Sequence, residues 1–228
     1  MTTEGQAARP LVVAIDGPAG AGKSTVARGL AARLGLRFLD TGAMYRAVTL
    51  LGLEAGLDPG DGAGLARLAA GTALDFDADG RVVVGDRQLE PDIRSAAVTA
   101  AVSEVSAHAA VREAVVARQQ AFGRAWEGLV AEGRDTTTVV FPDAPFRFYL
   151  DASPAERARR RAAELGTPEA VDAIRADIER RDAHDSGRAH SPLRRAAGVE
   201  ALSTDDLDAE GVVAALLARI RAASEGAR

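Results

Sequence analysis

The 228-residue chain has no cysteine, no asparagine and a single lysine. Without thiols, disulfides and thiolate metal sites are excluded, and nothing favours an oxidising compartment. Uninterrupted apolar runs such as Leu11–Ile15 are short, far below the roughly 20 residues of a membrane span. Aromatics make up only 4% and the net charge is −5, so there is neither a stacking platform nor an attractive field for nucleic acid. Residues 1–10 lack an apolar stretch and read as a loose tail rather than a signal peptide. The expectation is a cytoplasmic monomer with no membrane or nucleic-acid partner.

What is present is a chain 47% apolar, enough for a core, at a length that suits one α/β domain with an insert. Of its 28 basic residues, 27 are arginine. Where composition has drifted this far towards arginine, the remaining lysine marks a place arginine cannot serve. It lies in Gly17-Pro18-Ala19-Gly20-Ala21-Gly22-Lys23-Ser24, which fits G-x-x-x-x-G-K-[ST] in full. A short β-rich run, Leu11–Asp16, precedes it and a helical pattern over 22–34 follows, the context this phosphate cradle requires. The glycines let backbone N–H groups reach the phosphates, and the helix terminus adds positive partial charge. A compact ammonium threads under phosphates where a planar guanidinium would not. Gly17 to Ser24, with Thr25, are therefore expected to hold ATP, Lys23 to meet its β- and γ-phosphates, and the Ser24 hydroxyl to ligate Mg2+. Asp16 is a candidate carboxylate beside the metal, or equally a turn-stabilising aspartate. A signalling GTPase would need an Asn-Lys-x-Asp segment, which a chain with one lysine and no asparagine cannot supply.

Strand Arg37–Leu39 leads to a helix whose Met44, Ala47, Val48 and Leu51 form one apolar stripe. Residues 56–93 read as a small β-containing insert, with pieces at Ala73–Phe76 and Arg81–Val84 around a hairpin signal at Asp79-Gly80. Ile93–Ala125 is helical with a break near His108. Strands follow at Leu129–Glu132, Phe146–Leu150 and Val199–Leu202, with a closing helix at 209–223. Ser153-Pro154-Ala155-Glu156 is a capping box that opens an arginine-rich helix. Alternating strand and helix predicts a P-loop-type three-layer α/β fold around a parallel sheet.

In such sheets ligands bind beyond the strands' carboxyl ends, where Asp40-Thr41-Gly42 and Gly133-Arg134-Asp135 also fall. Asp40 and Thr41 serve equally as a helix cap, and Arg134-Asp135 as a local ion pair. Arg46 and Tyr45 lie off the apolar stripe and are free to face a cleft. Arg112 falls at the edge of an apolar helix face and needs an anionic partner, structural or substrate. Ser103 lies off that face, so a straight helix would not bring both to one ligand. Arg157, Arg160 and Arg161 share a helix face, and Arg181, Asp185 and Arg188 follow in a polar stretch. They form either a solvated surface or a lid that clamps a transferring phosphoryl group.

Together, Ile15-Asp16-Gly17-Pro18 with the P-loop, Asp40-Thr41-Gly42-Ala43-Met44-Tyr45-Arg46, Glu132-Gly133-Arg134-Asp135 and Val139-Val140-Phe141-Pro142-Asp143-Ala144 resemble the bacterial cytidylate kinases, nucleoside-monophosphate kinases that make CDP from CMP and ATP and accept dCMP. The resemblance implies a core at about 11–55, 126–153 and 196–223, a CMP-binding insert at about 56–125 and a lid at about 154–195. It implies that Ser103, Arg112 and Asp135 read cytosine. Thr41, Arg46, Arg134, Arg181 and Arg188 would hold sugar and phosphate, Asp185 the ribose, and Lys23, Arg157, Arg160 and Arg161 the transferring group. Another small-molecule P-loop kinase, or a nucleotide-binding regulator without turnover, are the alternatives. The family pattern continues with an aliphatic residue and glycine where Thr136-Thr137 stand here. If that glycine has positive φ, Thr137 is strained by about 1–3 kcal/mol, and Thr137→Gly lowers the KM for CMP.

Overall fold

A computed structural model describes residues 10–226, leaving residues 1–9 of the expected N-terminal tail outside the described part. Its centre is strand β1 (Leu11–Asp16), whose last four residues are buried on both faces, as in an interior parallel strand. β2 (Arg37–Asp40), β6 (Gly128–Gly133), β7 (Phe146–Asp151) and β8 (Glu200–Ser203) join it in the order β2-β6-β1-β7-β8, with every pairing parallel. The register sets Asp16 beside Gly133 and Tyr149, and Asp40 beside Glu132. The polar strand ends of β1, β2 and β6 thus share one edge.

Side chains alternate across this sheet. Val13, Ile15, Val130 and Phe148 pack with α1 (Lys23–Leu34) and α8 (Ala209–Gly226) through Val26, Leu30, Val212 and Leu216. Leu129 and Ala131 face the other way, onto α2 (Thr41–Glu54) and a bundle with α4 (Ala96–Val105) and α5 (Ala109–Ala125). A three-stranded antiparallel sheet, β3 (Leu74–Phe76), β4 (Val82–Val84) and β5 (Arg87–Gln88), covers that bundle. α6 (Pro154–Leu165) and α7 (Val171–Ser186) pack on one another. Asp182 of α7 reaches across to accept from the Ala19 N–H of the P-loop.

Residues 56–93 contain more than short strands, because Gly62–Gly71 is a helix, α3. Three glycines disguise it by lowering intrinsic propensity. Asp61 caps it by accepting from Gly64 N–H at 2.8 Å, and Leu65 packs so closely on α2 that a Cβ on Gly52 would meet its side chain at 2.5 Å. The helical run from Ile93 does break at His108, the residue before α5. At α6 only half of the capping box forms. Ser153 accepts from Glu156 N–H, but the Glu156 carboxylate turns to Arg159 and Arg160, and Ser153 N–H donates to Asp205.

Candidate active site

Between β1 and α1 the chain turns tightly enough to need glycine. Gly22 precedes α1 at φ 82°, and a Cβ on Gly17 would lie 2.0 Å from the Leu150 carbonyl oxygen. Lys23 is 5% exposed, and its ammonium donates to the Pro18 carbonyl at 2.8 Å. Burial pulls its pKa down, with Arg134 adding to the effect and Glu132, Asp16 and Asp182 opposing it. An ammonium held this way gains from a phosphate anion. Ser24 Oγ donates to Glu132 Oε1 at 2.6 Å. Burial, then the charge of Asp40, pushes the Glu132 carboxyl up, against Lys23, Ser24 and Arg134.

The P-loop opens into a cavity of about 940 Å3. Ala19 to Thr25 line it, as do Thr41, Arg46, Ser103, Arg112, Arg134, Asp135, Arg181, Asp185 and Arg188. Gly17 and Pro18 stand behind the lining. Arg112 and Asp135, 4% exposed each, form a buried ion pair, and Arg112 also donates to the Ser106 carbonyl and lies 5.0 Å over the Tyr45 ring. Ser103 and Arg112 share the cavity because the chain breaks between α4 and α5, which a straight helix would not allow. Asp185 accepts from Arg134 at 3.0 Å and from Arg188, which also reaches Ser106 Oγ at 3.1 Å.

Two cations differ from these. Among the described residues, neither Arg46 nor Arg181 makes an ion pair. Arg46 donates only to the Ile93 carbonyl and Thr99 Oγ1, both at 3.1 Å. Burial and then the charges of Arg181 and Arg94 pull its pKa down to about 10, against the charge of Asp40. A pair of neighbouring cations with no carboxylate in ion-pair contact suits an anionic ligand.

Residues 13–222 match the family described as cytidylate kinase. The chain belongs to the cytidylate kinase family. It is 45% identical over 224 residues to the cytidylate kinase of Mycolicibacterium paratuberculosis, covering 96% of this chain and 98% of that one. It is 47% identical over 219 residues to the bifunctional pantoate ligase/cytidylate kinase of Trichormus variabilis, covering 92% of this chain and 41% of that one. The chain therefore spans about two fifths of the length of such bifunctional relatives. An uncharacterized protein from Eubacterium ventriosum has a similar fold, with a TM-score of 0.53 at 10% identity over 92% of this chain and 98% of that one.

In this cytidylate kinase family member Arg157, Arg160 and Arg161, three of the four arginines of α6, part company. Arg160 and Arg161 line the cavity, with the Arg160 guanidinium 3.9 Å from where a Cβ on Gly22 would sit. Arg157 does not. It is buried behind the P-loop, paired with Asp182 and donating to the carbonyls of Ala152 at 3.0 Å and Ala19 at 2.9 Å. The shared-face expectation thus fails for Arg157, since a helix face wide enough for i, i+3 and i+4 spans two environments. Its role here is to brace the loop. Arg157→Ala is expected to cost roughly 3 kcal/mol of stability, as a broken buried pair does, and to raise the KM for ATP more than that for the acceptor. Thermal melts and steady-state kinetics check both.

Thr137 is not strained. Ser191 is the one non-glycine residue with positive φ among those described, so the glycine-for-threonine argument falls, and with it the expected gain from Thr137→Gly. Thr136 and Thr137 instead donate to Asp16 from both hydroxyls and both backbone N–H groups. Asp40 caps α2 through Ala43 N–H at 2.9 Å and pairs with Arg94. Thr41 Oγ1 donates to the Glu132 carbonyl. Sequence reasoning passed over Glu132, Ser106 and Asp182. The signal for Glu132 was an acid at the carboxyl end of a strand beside β1. Asp182 carried none in a helix full of charges.

Proposed function

We propose that the chain transfers the γ-phosphate of ATP to CMP, and to dCMP, giving CDP or dCDP and ADP. One observation carries this reading. A single continuous cavity joins the P-loop to two unpaired arginines and to a buried carboxylate–guanidinium pair. Phosphoryl transfer needs in-line positioning and charge neutralisation rather than a protein nucleophile. Arg46 and Arg181 would hold the acceptor phosphate, with Arg134 and Arg188 beside it and Asp185 turned towards the ribose. Asp135 would accept from the exocyclic amino group of cytosine, as carboxylates do in other readers of that base, while Arg112 donates to its ring acceptors and Ser103 completes the base contacts. Arg160 and Arg161 would stabilise the transferring phosphoryl group.

On this reading residues 56–125 form the acceptor-binding insert and 154–195 the lid. Ser24 and Glu132 present oxygen ligands together at the P-loop mouth, which suits Mg2+, a cation bound by one or two protein ligands plus phosphates. Asp16 does not fit that role, because both its oxygens are already engaged by Thr136 and Thr137. The metal would neutralise charge on the β- and γ-phosphates.

A coupled assay of ADP release with CMP, dCMP, UMP, AMP and shikimate tests the proposal. CMP is expected to turn over fastest. Faster use of AMP or shikimate leaves a small-molecule kinase and removes the cytosine assignment. Thr136-Thr137 was the sole ground for a regulator without turnover, and an unstrained Thr137 removes it.

The two exposed large apolar side chains among the described residues, Leu165 and Leu207, both line the cavity. Beside Thr204 and Arg160, they would seat the base of ATP. Leu207→Asp is expected to raise the KM for ATP about tenfold, the order of one lost apolar contact, and to leave the KM for CMP unchanged. Initial rates at varied ATP and fixed CMP read this directly.

A further inference from the structure

The Asp16 carboxylate sits at the end of β1, immediately before the P-loop, and is fully buried. Each of its oxygens takes one backbone and one hydroxyl donor. Thr136 N–H reaches Oδ1 and Thr137 N–H reaches Oδ2, both at 2.8 Å. The Thr137 hydroxyl reaches Oδ2 at 2.5 Å, and the Thr136 hydroxyl bonds Oδ1. Burial raises the Asp16 pKa and these four bonds oppose it. A buried carboxylate is tolerated only where donors satisfy it.

Both threonines are fully buried. They open a single wide turn, Thr136–Val140, in which Val140 N–H and Phe141 N–H close on the carbonyls of Asp135 and Thr136, five residues back. Asp135 immediately precedes that turn. Asp16 itself does not line the cavity, so whatever it does there it does through its partners. The clamp ties the strand that leads into the P-loop to the turn that follows Asp135.

We propose that Thr137, aided by Thr136, is a positioning residue of the acceptor pocket, holding Asp16 so that Asp135 is set against Arg112. The inference rests on the reading of Asp135 and Arg112 as acceptor-base contacts. A threonine supplies a second donor to Oδ2 that a glycine at this position could not. Its removal leaves that oxygen one bond short and frees the turn, and with it Asp135.

Thr137→Val keeps the branched shape and removes the hydroxyl. It is expected to raise the KM for CMP about tenfold, the order of one lost bond to a buried charge, with the KM for ATP within about twofold and kcat within about threefold. Thr137→Ala should show the same split, which keeps the test open if valine does not fit. Thr137→Ser, which restores the donor, should return the KM for CMP to the wild-type value. An unchanged KM for CMP in both the valine and alanine variants overturns the proposal. So does a joint rise in both KM values with a lower melting temperature, or a serine variant that recovers nothing. The wild-type enzyme is ranked first on CMP, dCMP, UMP and AMP. A different best acceptor displaces the cytosine reading, and the same split is then followed with that acceptor, so the two failures separate.

Discussion

Alanine in place of Lys23 is expected to lower kcat/KM by about 10³-fold, the order of losing a preorganised charge at the transferring phosphoryl group. The folded protein should survive the change. Burial disfavours the charged form of this side chain while Glu132, Asp16 and Asp182 favour it, so its removal relieves a desolvation cost but loses those attractions, and the melting temperature should change little. Lys23→Arg is the more telling variant. The ammonium is buried and held by the Pro18 carbonyl, and a planar guanidinium is too wide for that slot. The arginine variant should therefore lose nearly as much activity as the alanine one, although charge is kept. Turnover within tenfold of wild type in either variant removes the phosphate-binding role of this lysine.

The second large effect is expected at the Arg112–Asp135 pair. Asp135→Ala strands a buried guanidinium, and breaking such a pair from one side costs about 3–5 kcal/mol of stability. That alone would not separate structure from recognition. Replacing both partners with apolar residues of similar volume, as in Arg112→Met with Asp135→Leu, removes both charges together and is often close to neutral for stability. The double variant is expected to melt near the wild-type temperature while the KM for CMP rises about 100-fold or more, and the KM for ATP stays near its original value. The fold estimate follows from losing two directed contacts of about 1.5–3 kcal/mol each. Should the double variant use CMP normally, the pair is structural and cytosine is read elsewhere.

Legibility in the sequence followed the range of the interactions. Leu11–Asp16 and the P-loop were readable because strand, cradle and helix are contiguous, and the sole lysine stood out against 27 arginines. The break at His108 was readable from local pattern. Helix α3 was not, since its stability comes from the Asp61 cap and from Leu65 packing under Gly52, contacts that outweigh three glycines. Arg157, Arg160 and Arg161 looked alike because spacing says nothing about which carboxylate lies within reach. Asp182, 25 residues along the chain from Arg157, decides that. Thr137 was misjudged for a related reason. The backbone of a wide turn, and the carboxylate it wraps, lie 121 residues apart in sequence.

Asp135 and Asp185 engage three of the cavity's arginines, Arg112, Arg134 and Arg188. The pocket thus carries its own counter-ions, and among the described arginines that line it Arg46 and Arg181 alone make no ion pair. A small anion such as inorganic phosphate can engage those two but has nothing to offer in exchange at the others. A whole nucleotide would meet those two with its phosphate while its base and sugar offer donors to carboxylates that stay in place. Guanidinium-rich as it is, the chamber is therefore largely self-neutralised, and the guest that gains most there brings donors for its acids along with an anion for its two spare cations.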